Sequence, residues 1–506
     1  MLAFVLSNVV GLVRQILITR AFGASAELDA FYIAGRLPDI LFMLVAGGAL
    51  ASAFVPTFTG LLGKKDKGEA WHLASSIWNL VILVVMAASV LAWAVAPQLV
   101  SLTAPEYAGA QRALTIELLR IQLLTPIIFS MSGLLMGILN AHQSFLLPAI
   151  APSMHWLGMI IGVLLFVPSM GIQGLAWGAV LGATMHLLVQ VPGLLRVGLQ
   201  YSFTLGLESA KVREVGKLMA PRLLGVGAVQ INFLVNNIIG STLPEGSVAA
   251  FTVAFQVMTM PQVVIAQAIA IAALPTFSAQ FAKGKLDELR SALAGTLRGV
   301  LLLAFPASVG LVLLRRPIIG LLFERGEFGA QDTELVAWAL LWFGVGLIGH
   351  SVVEIVSRAF YALHDTRTPV AASVGAMTLN VILSLTLPGV FAARGWMPHG
   401  GLALANSLAT TIEMVVLLWI MRKRLEGLEG RELGMGAGLA AGGSALMGLG
   451  LWWWMSNFGA AGHVFAGIGG ILFGGTIFVL FCWVAQVPEF MELVGAVRER
   501  LPEIGK

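Results

Sequence analysis

Charge and cysteine are what this 506-residue chain has least of. Asp, Glu, Lys and Arg together make up 11% of it, where a soluble domain carries about a quarter. That scarcity excludes an ordinary soluble fold. The single cysteine, Cys482, lies inside an apolar run, so an intrachain disulfide and a cysteine-based metal site are both excluded. The eight histidines are scattered without HExxH or any paired ligand spacing, and no metal centre is expected. Nothing points to a nucleic-acid partner. The apolar stretch from Leu2 has no basic residue before it and runs into Arg14 and Arg20, so it reads as a retained helix rather than a cleaved signal.

What fills the chain instead is apolar sequence. Hydrophobic residues are 58% of it and the mean hydropathy is +0.90. Runs of about 20 apolar residues are long enough to cross a bilayer as helices. About fourteen such runs occur, centred near residues 12, 45, 84, 126, 155, 185, 229, 265, 306, 347, 381, 411, 445 and 475. The expected fold is an all-α polytopic membrane protein. Charged linkers separate the runs: GKKDKGE (63–69), KVREVGK (211–217), AKGKLDELR (282–290), MRKRLEGLEGREL (421–433) and the tail VRERLPEIGK (497–506). Counting spans in order places these linkers on one side with about eighteen Lys and Arg, against about three opposite, Arg112, Arg325 and Arg394. The positive-inside rule then puts both termini in the cytoplasm. The opposite loops, such as LTAPEYAG and FERGEFGAQD, are too short for a catalytic domain.

An internal repeat organises the spans. DAFYIAGRLPDILFMLVAGGALASAFVPTFTGLLGKKDKGE (29–69) aligns with AAFTVAFQVMTMPQVVIAQAIAIAALPTFSAQFAKGKLDE (249–288). Ala30-Phe31 matches Ala250-Phe251, 220 residues on, and Pro56-Thr57-Phe58 matches Pro275-Thr276-Phe277, 219 on. An even number of spans separates the copies, so two six-helix halves are parallel repeats. The expected boundaries are an N-terminal lobe at 1–198 (spans 1–6), a cytoplasmic linker at 199–215 and a C-terminal lobe at 216–424 (spans 7–12). Residues 425–506 form an appendage of two extra C-terminal helices and a tail.

Within this greasy chain, LDAFYIAGRLPD (28–39) stands out. At about 100° per residue Asp29 and Arg36 are nearly eclipsed, and Asp39 falls within roughly 80° of both. The second repeat has Gln256 at the Arg36 position and no matching acids, so the fold does not require these charges. A charge inside the bilayer needs water or a partner. Two readings follow. In one, Arg14 and Arg36, with Asp29, Asp39 and Asn8, line a wet cavity between the lobes. In the other, Asp29 caps the outer end of span 2 and Arg36 pairs with Asp39. Elsewhere, Gly344, Gly346 and Gly349 form GxGxxG within an apolar span and read as helix packing rather than nucleotide binding. His155 and His186 read as polar contacts or proton carriers. Asn236, Asn380, Ser384 and Asn406 are uncharged polar residues in three later spans, suited to interhelical hydrogen bonds or to a weak cation site.

The segments GLVRQILITRAFG (11–23), LDAFYIAGRLPD (28–39), AFVPTF (53–58), LTAPEYAG (102–109), RAFYALHDTRTPV (358–370) and GLALANS (401–407) resemble the MviN/MurJ family of lipid II flippases, within the multidrug/oligosaccharidyl-lipid/polysaccharide exporter superfamily. The resemblance spans most of the chain. It implies alternating access in the bacterial cytoplasmic membrane, a lipid-linked oligosaccharide as substrate with the surrounding membrane lipids, and cell-wall synthesis machinery as partner. It implies no enzyme activity and no cofactor, and leaves open coupling to an ion or the membrane potential. Residues 8, 14, 29, 36, 39 and 256 become the substrate-binding candidates. Further cations of the family fall on Asn8, Phe42, Met43 and Gln256, and an acid on Gly47. Arg222, near the start of span 7, offers another cation or snorkels to the cytoplasmic edge. The family's sodium site would fall on Asn236, Asn380, Ser384 and Asn406, without its carboxylates. Other readings are a paralogue moving another lipid-linked glycan, a drug exporter and a non-transporting envelope scaffold. A membrane glycosyltransferase would need its acid or base among Glu106, Glu327, Asp332 and Glu334.

Overall fold

The computed structural model describes residues 2–45, 49–64, 66–492 and 494–495. Every regular element among them is helical, and a helix covers each of the fourteen positions where an apolar run is centred. Among the described residues eleven helices are long and apolar enough to cross a membrane, from Lys67–Ala94 to Phe465–Val484. The other three positions are covered by Leu2–Phe22, by Ala26–Val45 with Ala49–Gly63, and by Ala210–Ser241.

The chain divides into two compact units, Met1–Ala249 with Arg325–Phe328, and Ala250–Glu324 with Gly329–Lys506. Among the described residues two apolar clusters lie in the first unit. One gathers Ile18, Leu28, Phe31, Leu118 and Leu175. The other gathers Phe54, Phe58, Trp71, Leu135 and Val215. The Ala210–Ser241 helix packs in this unit, against Ala26–Val45 and Ala49–Gly63. Lipid removes most of the hydrophobic drive between helices, so close backbone approach has to hold them. Glycine supplies that approach between Leu146–Ile161 and Ile172–Leu188: a Cβ on Gly158 would lie 2.2 Å from the Gly182 Cα, and one on Gly162 2.4 Å from the Gly178 Cα.

In the second unit the glycines of the GxGxxG run are packing residues, as read from the sequence. A Cβ on Gly346 would meet the Ser407 hydroxyl at 2.3 Å, and one on Gly349 would meet Thr411 at 3.3 Å. The RAFYALHDTRTPV segment has a local physical cause. Helix Ala330–Ala362 stops at a turn in which His364 takes φ +57, and helix Arg367–Ala393 restarts at once. Asp365 closes the gap by accepting from the amides of Arg367 (3.1 Å) and Thr368 (3.0 Å) and from the Thr368 hydroxyl (2.7 Å), while the Arg424 guanidinium pairs with it. In the same unit, half-buried Arg298 joins three segments through Glu489 (2.6 Å) and Glu432 (2.9 Å), tying Leu286–Leu313 to the start of Gly430–Phe458 and to the chain after Val487.

Candidate functional site: two aromatic-backed arginines

Arg14 is 9% exposed on the face of Leu2–Phe22 that packs against Leu146–Ile161. Its guanidinium lies over the Trp156 ring, 4.2 Å from the centroid. One terminal nitrogen donates to Gln15 Oε1 at 3.2 Å, and the other faces the Met159 thioether at 3.9 Å. Among the described residues the Nε has no hydrogen-bond partner. Gln15 is itself fixed, since its amide donates to the Tyr32 hydroxyl at 2.9 Å. The plane of the guanidinium is therefore set by one ring, one amide and one phenol.

Arg36 repeats the arrangement on Ala26–Val45. Its guanidinium lies 4.4 Å from the Phe233 centroid and donates to Gln230 Oε1 at 3.4 Å, and its buried Nε again has no hydrogen-bond partner among the described residues. Among the described residues neither arginine has a carboxylate within 4 Å. The Arg36–Asp39 ion pair of the second reading is thus absent at contact distance; Asp39 is exposed and Arg36 stacks instead. A cation–π contact holds a guanidinium without neutralising it. Two held cations without a carboxylate at contact distance can accept an anion through planar, two-pronged hydrogen bonding.

Asp29 does something different from its helical neighbours. It is 3% exposed and accepts from the amides of Gly246 (Oδ2, 2.8 Å) and Ala249 (Oδ1, 2.7 Å). It is a cap, although of the helix starting at Ser247 rather than its own. The exchange is reciprocal: Glu245 Oε1 accepts from the amide of Ala26, the first residue of Ala26–Val45. Asn8 is exposed nearly two turns before Arg14. Gln256 is half-buried on Ser247–Gln262 and belongs to the second unit. Phe42 is half-buried and Met43 exposed, while Gly47 and the side chain of Arg222 lie outside the described residues.

The weaker cation candidates separate by unit. Asn236, in the first, donates to Asn232 at 3.2 Å. Asn380, Ser384 and Asn406 are in the second, where Asn406 meets His350 at 3.0 Å. Among the described residues no three His, Cys, Asp or Glu side chains gather as a metal site. His186 has a polar partner, with its Nδ1 2.6 Å from the Ser132 hydroxyl, which also receives the Gln190 amide at 2.7 Å.

Sequence reasoning missed the residues that hold the arginines: Gln15, Tyr32, Trp156, Gln230 and Phe233. Only Gln15 carried a signal, as the neighbour of Arg14 in an apolar run. It also passed over Glu413, a lone acid in ATTIEMVVLLW, which accepts a hydrogen bond from Ser373.

A family model described as "Lipid II flippase MurJ" matches residues 18–468. A lipid II flippase MurJ from Burkholderia cenocepacia is 30% identical over 430 residues, 83% of this chain and 82% of that protein. A probable lipid II flippase MurJ from Synechocystis is 28% identical over 470 residues, covering 89% and 85%. Among solved structures, a lipid II flippase MurJ in an inward closed conformation superposes with TM-score 0.83 at 24% identity, over 97% of this chain and 99% of that one. An inward-facing multidrug resistance transporter of the MATE family, described as of the MOP superfamily, gives 0.71 at 17% identity over 84% and 95%. At those identities the likeness to the solved structures is one of fold.

Proposed function

This chain belongs to the lipid II flippase MurJ family, and from that membership we propose that it moves lipid II across the bacterial cytoplasmic membrane. The observation that carries the site is the pair Arg14 and Arg36, each held by an aromatic ring and each lacking a carboxylate within 4 Å among the described residues. A polyprenyl-pyrophosphate headgroup is the kind of anion that such cations accept, while its isoprenoid tail stays in lipid. Asn8 and Asp39 complete the proposed contact set in the first unit, and Gln256 is a separate substrate-binding candidate in the second. Asp29 belongs to it through the helix starts that it fixes. Transport by alternating access, fourteen crossings, both termini in the cytoplasm, and lobes at 1–198 and 216–424 followed by the 425–506 appendage are parts of the same proposal. So is an association with cell-wall synthesis machinery.

The test is replacement of an essential lipid II flippase by this chain, reading lipid II exposed on the outer face. A charge-assisted contact is worth about 1.5–3 kcal/mol, so Arg14→Ala and Arg36→Ala should each lower transport by about ten- to a hundredfold at unchanged protein level. Arg14→Lys should restore part, because an ammonium keeps the charge and loses the planar fork. Transport unaffected by both alanine changes would remove the two arginines from the headgroup site. The lack of the family's other arginines at Asn8, Phe42, Met43 and Gln256 favours one second reading, a paralogue that carries a different lipid-linked glycan; expression that leaves lipid II unexposed would select it.

A further inference from the structure

Glu413 lies within the candidate membrane span His399–Arg424, eleven residues before its basic end at Arg424. An acid at that depth needs a cation, water or a proton, because an ionised carboxylate is expensive away from water. No cation is within 4 Å among the described residues. Its polar contact is the hydroxyl of Ser373, on Arg367–Ala393, which donates to a carboxylate oxygen. Its surroundings are otherwise greasy: Ala372 and Met414, the chain neighbours of the pair, pack against the apolar cluster of Val356, Phe360 and Leu417.

Two helices pack on His399–Arg424, and their charged groups are accounted for. On Ala330–Ala362, Asp332 accepts from the Gly329 amide at 3.0 Å, Glu334 pairs with Arg316 at 2.7 Å, His350 faces Asn406, and Glu354 and Arg358 pair with each other at 2.8 Å. Arg367–Ala393 holds only Arg367, at its first residue. A polar stripe leads away from the acid toward mid-span. Thr410 and Asn406 are three and seven residues before Glu413 on one helix; Asn380 and Ser384 are seven and eleven after Ser373 on the other. All of these residues belong to the second unit.

We propose that Glu413, held by Ser373, is a proton-binding site in the second unit that takes up and releases one proton during the transport cycle. One carboxylate and one hydroxyl offer three oxygens, fewer than the roughly six that a hard metal cation takes, which is why a proton is the occupant chosen. Binding is the addition of a proton from water to the carboxylate, and release returns it to water. The coupling to transport rests on the flippase reading; the proton site does not.

Infrared difference spectra of the purified full-length protein in lipid nanodiscs, stepped between acid and alkaline pH, test the site directly. A carboxylic-acid carbonyl band should appear on the acid side, vanish in Glu413→Gln, and be unchanged when sodium is exchanged for choline. Ser373→Ala keeps the carboxyl and should shift the band upward, since the carbonyl loses its hydrogen bond; this arm holds even if the Gln variant folds poorly. Identical spectra for the native protein and Glu413→Gln would overturn the proposal, as would a band removed by sodium. In liposomes carrying lipid II, an imposed pH gradient should change the flipping rate of the native protein and leave that of Glu413→Gln indifferent. A band without any flipping by the native protein would retire the flippase reading and keep the proton site.

Discussion

Removing the Asp29 carboxylate should destabilise the first unit more than removing either arginine, which separates its capping role from cargo binding. Both of its oxygens accept backbone amides, at 2.8 and 2.7 Å, in a site where the residue is 3% exposed. A hydrogen bond to a charged group contributes about 1.5–3 kcal/mol, so Asp29→Ala forfeits about 3–6 kcal/mol and leaves two amides without an acceptor. Asn keeps one acceptor oxygen without charge and should lose about half of that. Glu245→Ala, which frees the single exposed amide of Ala26, should cost about 1 kcal/mol. The neighbouring turn gives no slack, since Gly246 sits at φ +80 and an added Cβ would lie 2.3 Å from the Ala24 carbonyl oxygen. Unfolding in mixed micelles of increasing denaturing detergent, followed by tryptophan fluorescence, gives the order of the three variants. If Asp29→Ala is as stable as the native protein while its transport is lost, the carboxylate meets cargo and the capping argument is wrong.

Two further outcomes check the orientation and the loop chemistry. With Cys482, a buried and free thiol, replaced by serine, single cysteines at Arg213 and Lys283 should escape an impermeant maleimide in intact cells while those at Glu106 and Glu327 are labelled; the reverse pattern would refute cytoplasmic termini. Asp365 is held below its ordinary value of 3.8 first by the Thr368 hydroxyl and amide, and then by Arg424. A depressed carboxylate stabilises the fold above its unfolded pKa, and that stability drains away as pH falls through the lower folded value. Native protein should therefore lose stability on acidification below about 3.8, where Asp365→Asn starts less stable and follows a flatter curve. Parallel curves would remove Asp365 from the acid response.

The helices were readable because lipid imposes one rule on every span, and apolar runs of sufficient length mark them without reference to partners. The glycines near 344–349 were readable for a related reason, since small residues in a span signal close approach. Side-chain destinations were less legible. Periodicity placed Asp29 and Arg36 on one stripe, yet a stripe wide enough for both touches more than one neighbour: Asp29 meets the Gly246 turn and Arg36 meets Phe233. The partners sit about 200 residues away in sequence, and no local pattern encodes them. Arg14 was readable as an underneutralised cation, whereas Trp156, which backs it, looked like any other aromatic in an apolar run.

The exchange of caps between the starts of Ala26–Val45 and Ser247–Gln262 has a consequence in time. The amide of Ala26 waits for Glu245, 219 residues later, and Asp29 waits for Ala249, 220 residues later. A ribosome adding about 5–20 residues per second leaves the carboxylate and its amides unmatched for on the order of ten to forty seconds after span 2 emerges. During that interval the helices from Leu2–Phe22 to Val191–Arg196 are already made, with their earliest polar groups still provisional. Completion of the first unit is thus a late event in biogenesis, and the two acids act as its clasp: a chain arrested before residue 245 leaves Asp29 without either of its amide partners and Ala26 without its acceptor.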